Sequence, residues 1–347
     1  MLKQSLICGA ICVLGASSAM AQTAPTVETL QASAKQYAGT DWAGTFTRLC
    51  VPTVSADQLV LPTFDPANYP TDALPTPPGG TPPRANWYAP PAKIGDNIYF
   101  LGTRNHTTYA LVTRRKEIIL VDGNYDYATP AEIHEGLLKV GLDPRQVKYS
   151  IYAHAHSDHD GGAHLTEAAA PGVTIVYGEG DWPSVMARTG PHATRYGPQN
   201  DGTDGRVINV GDLSLKIVTM PGHTPGTISM LFEFKDDGKT IRVAYPGGTA
   251  FSFTGTAEFY DQYINSARKF ARAASDFGAT ALLSNHTEFD NAYFKAHTAA
   301  SLRGLRSRPR DEDVPNPFYV GQRRVMNYMA VVELCGMSAK LRATGSL

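Results

Sequence analysis

The segment His154-Ala155-His156-Ser157-Asp158-His159 places three imidazoles and one carboxylate within six residues. Imidazole nitrogen and carboxylate oxygen are donors that suit zinc. Taken singly, each histidine has a plain reading as a satisfied polar residue, and Asp158 or Asp160 could cap a helix. Packing does not account for such a density of them. If strand geometry continues through them, His154 and His156 share a face, whereas Asp158 and His159 belong to the following turn. A cysteine nucleophile does not fit, because Cys50 and Cys335 lie far in sequence from every histidine motif.

The elements needed to position this cluster can be read around it. Asn97–Leu101, Thr108–Val112 and Glu117–Val121 are short runs rich in β-branched and aromatic residues and read as successive strands. Thr129-Pro130-Ala131-Glu132 has the pattern of a capped helix start, with Ile133, Leu137 and Val140 on one face and Gly141 to end it. Val147–Ala153 then reads as a strand that delivers the chain into His154, so the cluster sits where a strand ends and a loop begins. Further strands are expected at 173–177, 213–219, 227–234, 240–245 and 281–284, the last leading to His286, with a helix over 258–274. Two groups of strands with helices between and after them predict an α/β fold of two packed sheets covered by helices.

The N-terminus has one positive charge at Lys3, an apolar run from Leu6 to Leu14 and small residues ending in Ala19-Met20-Ala21. This is the layout of a cleaved secretory signal, too short an apolar run to span a bilayer. Residues 1–21 are therefore expected to be a signal peptide, 22–91 an N-terminal extension with a short helix around Val27 to Tyr37 and a proline-rich arm over Leu74 to Pro83, and 92–347 the main domain, which carries the histidine cluster and ends in a helix. A periplasmic or secreted protein follows, with no membrane attachment after cleavage. Signal removal takes away Cys8 and Cys12, and in an oxidising compartment Cys50 and Cys335 can pair, tying the extension to the C-terminal helix. A net charge of −1 gives no footprint for nucleic acid. A small-molecule substrate and a monomeric chain are expected.

The cluster resembles the H-x-H-x-D-H signature of the metallo-β-lactamase superfamily. The resemblance runs from about Trp87 to about Asn291 and takes in Val121-Asp122-Gly123, Gly161-Gly162, Pro221-Gly-His-Thr-Pro-Gly226 and Ser284-Asn-His286. It implies an αββα sandwich with metals at the strand ends. Matched by motif, His154, His156 and His223 look like the ligands of a first Zn2+, and Asp158, His159 and His286 like those of a second. A third histidine in place of cysteine is similar to the third subclass of metallo-β-lactamases. In one respect the chain departs from its relatives. Where the glyoxalase-like and phosphodiesterase-like branches carry a bridging aspartate, and the related lactamases typically Tyr-Ala-Asp-Ser, this sequence has Tyr245-Pro246-Gly247-Gly248-Thr249. That counts against thioester or phosphodiester hydrolysis and also removes a serine from beside the second metal.

The implied activity is a dinuclear zinc hydrolase in which a metal-bound hydroxide opens a cyclic amide, a β-lactam, with Asp158 as the catalytic residue that orients it. Two zinc ions about 3.5 to 4 Å apart can share a hydroxide, since metal binding lowers the pKa of water to about 7. A lactonase or other ester or amide hydrolase on the same metals is the alternative, and a non-enzymatic zinc-binding or solute-binding protein is a further one. Asp122 either supports the histidine loop or is a turn residue before Gly123. His164 is expected in the helix after the metal loop, and His106, His134, His192 and His297, which lack ligand spacing, as structural or exposed residues. The stretch from Trp182 to Arg206 is either a pocket wall or a surface loop, and Trp87 and Tyr88 are candidates for the opposite rim.

Overall fold

The computed structural model of the chain describes residues 24–52, 81–304 and 315–347. The expected signal peptide and most of the proline-rich arm lie outside these residues. Six strands form the first sheet in sequential order: β1 (Ala92–Lys93), β2 (Ile98–Phe100), β3 (Tyr109–Val112), β4 (Ile118–Val121), β5 (Val147–Ile151) and β6 (Thr174–Val176). The second contains β7 (Val207–Val210), β8 (Leu213–Thr219), β9 (Ile228–Asp236), β10 (Lys239–Tyr245) and β11 (Ala281–Leu282), ordered β11-β10-β9-β8-β7. The helices are α1 (Val27–Ala38), α2 (Ala43–Cys50), α3 (Arg84–Trp87), α4 (Glu135–Lys139), α5 (Ser157–Asp160), α6 (Ala163–Ala169), α7 (Trp182–Met186), α8 (Ala257–Phe277), α9 (Thr287–Asp290), α10 (Ala292–Gly304) and α11 (Gln322–Thr344).

Side-chain alternation explains the layering. Ile98, Phe100, Leu111, Ile119 and Ile151 of the first sheet meet Leu215, Ile217, Met230, Phe232 and Val243 of the second in one buried core. On the outer side of the first sheet, Ala110, Leu120 and Ile175 pack with Ile133 and Leu137 of the helical segment after β4 and with Trp182. On the outer side of the second, Val218, Leu231 and Ala244 pack against α8 and α11. Strands β3 and β4 are buried along their whole length, as expected of strands covered on both faces. The result is two mixed sheets flanked by helices, the αββα sandwich that the resemblance implies.

Helix α8 forms because Tyr260, Tyr263, Ile264, Ala267, Phe270 and Ala274 fall on one face at helical spacing. Its Thr256 side chain caps the start, and Gly278, at φ 70°, supplies the left-handed residue that ends it. The capped start expected at Thr129 does not occur. Thr129 is itself helical, at φ −51° and ψ −45°, and its hydroxyl donates back to the Tyr125 carbonyl at 3.0 Å, while Glu132 accepts from the Ala89 N–H at 2.9 Å. Chain reversal begins four residues earlier than the motif suggests, and Pro130–His134 is wound as a π-helical turn before α4.

The N-terminal helices lie on the C-terminal one. Cys50, at the end of α2, is bonded to Cys335 in the middle of α11, with the two Cα atoms 4.7 Å apart. The Trp42 indole stands edge-on to Tyr328 of α11 and donates to the Arg324 carbonyl at 2.9 Å. Among the described residues, no helix is long and apolar enough to cross a membrane.

Candidate metal centre

Strands β4 and β5 run parallel, as do β10 and β11, and β8 shares the direction of β10 through the antiparallel β9 between them. Their C-terminal ends deliver Asp122, His154, Gly247, His286 and His223 to one edge of the sandwich. The two sheets are joined there by backbone, since Ile228 N–H donates to the Ala153 carbonyl at 2.9 Å. His154 and His159 are buried, Asp158, His223 and His286 half-buried, and His156 exposed, so the centre has a dry floor and an open mouth.

Proton bookkeeping shows what the first three histidines can hold. His154 Nδ1 lies 2.8 Å from the Gly247 carbonyl and His223 Nδ1 2.7 Å from the Ala250 carbonyl. A carbonyl only accepts, so each Nδ1 carries the proton and each Nε2 presents a lone pair. Those two Nε2 atoms are 3.0 Å apart, and His223 Nε2 is also 3.0 Å from His156 Nδ1. Bare lone pairs at that distance repel unless a cation lies between them, and donors about 2.0–2.1 Å from a tetrahedral zinc sit roughly 3.3 Å from one another. The donor set therefore fits the metal that the sequence implies.

Beside this triad stands a second group. Asp158 Oδ2 lies 3.2 Å from His159 Nε2 and 3.4 Å from His286 Nε2, and the two imidazole nitrogens are 3.0 Å apart. All six side chains expected from the sequence are thus brought together. Burial lowers the pKa of His154 well below the usual imidazole value, and it brings His223 down to about 4 and His286 to about 3. Burial opposes ionisation of Asp158, but His159 and the contacts with His106 and His286 outweigh it and hold the carboxyl well below its ordinary range. Deprotonated donors are what a cation requires.

Asp122 is a supporting residue rather than a plain turn residue. It adopts φ 64°, a left-handed conformation that aspartate tolerates better than most residues. The bend aims Oδ2 at His159 Nδ1, 3.0 Å away, and lets the same oxygen accept from the Tyr245 hydroxyl at 2.8 Å. For buried His159, desolvation is outweighed by Asp122 and Asp158, which push its pKa up to about 10 when no cation shares its Nε2.

Three residues to which the sequence assigned no role hold the loops in register. Asp181 accepts from Ala155 N–H and Gly226 N–H, both at 2.8 Å, and from the Thr224 hydroxyl, so one buried carboxylate braces the loops of His156 and His223 together. Arg188 donates to Asp160 at 2.8 Å and to the Ala155 carbonyl at 2.9 Å. Asn285 donates to the Gly247 carbonyl at 2.9 Å. Asp181 and Arg188 have no spacing signal, although they belong to the start of the 182–206 stretch and the turn before it, which thus supports the metal loop; Asn285 is the middle residue of the Ser284-Asn-His286 motif. His106, expected to be structural or exposed, stands in the centre with Nε2 3.5 Å from Asp158 Oδ2. His164 does lie in α6, as expected, 3.7 Å from Asp126. Trp87 is buried against Tyr127, and its carbonyl accepts from Arg104 N–H, so the arm braces the loop that carries His106.

The family model described as the metallo-beta-lactamase superfamily matches residues 101–237, which include the histidine cluster and His223. The chain contains a metallo-beta-lactamase superfamily domain. Its structural neighbours are mainly subclass B3 metallo-beta-lactamases. BJP-1 of Bradyrhizobium japonicum is 23% identical, with 71% of this chain and 93% of that one covered at a TM-score of 0.56. Native FEZ-1 from Legionella gormanii is 20% identical, covering 70% of this chain and 91% of that one at 0.54. At such identities the likeness establishes the fold. Curated relatives include glyoxylase B2 of Dictyostelium discoideum, 28% identical over 130 residues, and a hydroxyacylglutathione hydrolase of Anaeromyxobacter dehalogenans, 31% identical over 93. The aligned parts are 31% and 27% of this chain, and they span only 42% and 31% of those relatives.

Proposed function

We propose that this protein is a dinuclear zinc hydrolase that opens a cyclic amide, a β-lactam, in the periplasm or outside the cell. The observation that carries the reading is the pairing of two donor groups at one strand-end edge: His154, His156 and His223 in one, Asp158, His159 and His286 in the other. Zinc held there would supply a water activated at neutral pH and a Lewis acid for the substrate carbonyl. The chain's own residues would do the rest. Asp158 orients the attacking water by accepting a hydrogen bond at its carboxylate. Asp122 keeps His159 turned toward the centre, and the Gly247 and Ala250 carbonyls keep the protons of His154 and His223 away from it. Exposed His156 leaves the substrate a way in. The Cys50–Cys335 bond is consistent with export, because disulfides persist in oxidising compartments.

A second reading is favoured by the glycine pair. A Cβ on Gly247 would meet the Ile228 carbonyl oxygen at 1.8 Å, and one on Gly248 would meet His223 Cβ at 2.7 Å. Neither a serine nor a bridging carboxylate stands at these positions, so a lactone or other ester on the same centre is the alternative substrate. Zinc-reconstituted protein assayed on a carbapenem, a penicillin, a lactone set and a thioester separates the readings. β-Lactam turnover abolished by a chelator supports the first; lactone turnover alone supports the second. Inertness toward the whole panel with both metals bound would contradict the assignment as a hydrolase of these classes.

A further inference from the structure

The strongest feature outside the expected ligand set is His106, in the loop between β2 and β3. Thr103 curls this loop by accepting with its hydroxyl from the N–H groups of Asn105 at 3.2 Å and His106 at 2.9 Å. The loop is then laced to the segment that carries His286. Thr107 N–H donates to the Asn285 carbonyl at 3.0 Å, Thr287 N–H to the Asn105 carbonyl at 2.8 Å, and the Thr107 and Thr287 hydroxyls to the Ser284 and Arg104 carbonyls at 2.5 and 2.6 Å. His106 and His286 face each other across this antiparallel bridge, with ring centroids 4.8 Å apart. Directly opposed residues on paired backbones project side by side, so a position that presents one imidazole to the centre presents both.

We propose that His106 is a fourth protein ligand of the second metal position, together with Asp158, His159 and His286. The inference rests on the reading of those three as ligands. Three imidazole nitrogens surround a single oxygen, Asp158 Oδ2, with His159 at 3.2 Å, His286 at 3.4 Å and His106 at 3.5 Å. A charged N–H···O hydrogen bond is shorter, about 2.7–2.9 Å. Separations near 3.3 Å are those of donors gripping one ion at about 2.0–2.1 Å from each. The reactive atoms of His106, Asp158 and His286 all lie within 4.8 Å of one another, and His106 is only 7% exposed, so solvent does not compete for its Nε2. Four protein donors at one position and three at the other make the centre asymmetric. The second ion is held more tightly, and the open coordination is concentrated at the His154, His156 and His223 position.

The test uses the full exported chain, wild type and with His106→Ala or His106→Asp, loaded with Co2+ or Zn2+. Bound ions are counted by elemental analysis, each affinity is measured against a chromophoric chelator, and the visible absorption of the Co2+ forms is recorded. Wild type is expected to hold two ions. His106→Ala should lose affinity for one of them by more than about 100-fold, above the 10–100-fold range typical of residues that act only through another ligand. The cobalt band of that ion should change shape, and His106→Asp, which restores an oxygen donor, should recover part of the affinity. Retained tight binding of the other ion reports an intact fold. Two ions in wild type together with unchanged affinities and cobalt spectra in both variants would overturn the role of His106 alone. A single ion in wild type would instead refute the dinuclear reading, and this inference with it.

Discussion

At the scale of single residues, carboxylates in different surroundings should respond in opposite ways. Asp158 is ionised and surrounded by imidazoles, so Asp158→Asn keeps its size but removes the charge that both a cation and an oriented water require. Turnover of whichever substrate the protein accepts should fall by roughly 100-fold or more, with far-UV circular dichroism unchanged. Wild-type rates in that variant would contradict its role. Glu132 is the reverse case: burial pushes its pKa up from 4.5 to about 9, with Ala89 N–H, Arg84 and Lys139 only partly opposing it. A carboxyl whose folded pKa is raised stabilises the native state fully below pH 4.5 and loses that contribution as pH climbs toward 9. Glu132→Gln, which retains an acceptor for Ala89 N–H, should therefore match wild type near pH 5 and exceed it by roughly 1–3 kcal/mol near pH 9. Parallel stability curves across that range would sink the idea.

At the scale of elements, the site depends on close backbone contacts and on what clamps the helices. Gly247→Ala should destabilise by about 1–3 kcal/mol and weaken metal binding, because a methyl at 1.8 Å from the Ile228 carbonyl oxygen must displace the carbonyl that orients His154. Replacing Cys50 and Cys335 by serine removes the covalent tie between α2 and α11 and should cost roughly 2–5 kcal/mol in thermal or denaturant unfolding, while the count of bound metal stays unchanged. The strands were readable wherever an apolar run was bounded by turn residues: the 213–219 expectation coincides with β8, and the others differ by a few residues at their ends. The two-residue strand β1 has no periodicity to read, and the four residues of β7 give too short an alternation to announce a strand. Thr129 misled because the residues of a capping box also occur inside a turn that has already started at Tyr125. His154 to His159 was legible because its donors are local in sequence. His106 was not, because its partner is His286, brought opposite it by a bridge that no local pattern announces. Asp181 was hidden for the same reason, its three donors coming from two separate loops.

At the scale of the whole molecule, the sandwich works as a frame in which strand ends from two sheets meet over a shared core. Its fold matches subclass B3 enzymes over about seven-tenths of the chain, whereas the curated relatives align only in part, so substrate class has to come from the site itself. The division into an exported N-terminal extension and a catalytic domain is a proposal, to which the packing of α1 and α2 on α11 adds that the extension is anchored to the far end of the chain. Everything proposed about chemistry depends on two adjacent cations. The most direct measurement is the metal content of pure, folded protein after equilibration with Zn2+ and removal of excess. The expected result is two ions per chain, falling to one or fewer when His154 and His223 are both replaced by alanine. A folded wild-type chain that retains no transition metal would contradict the account at its root.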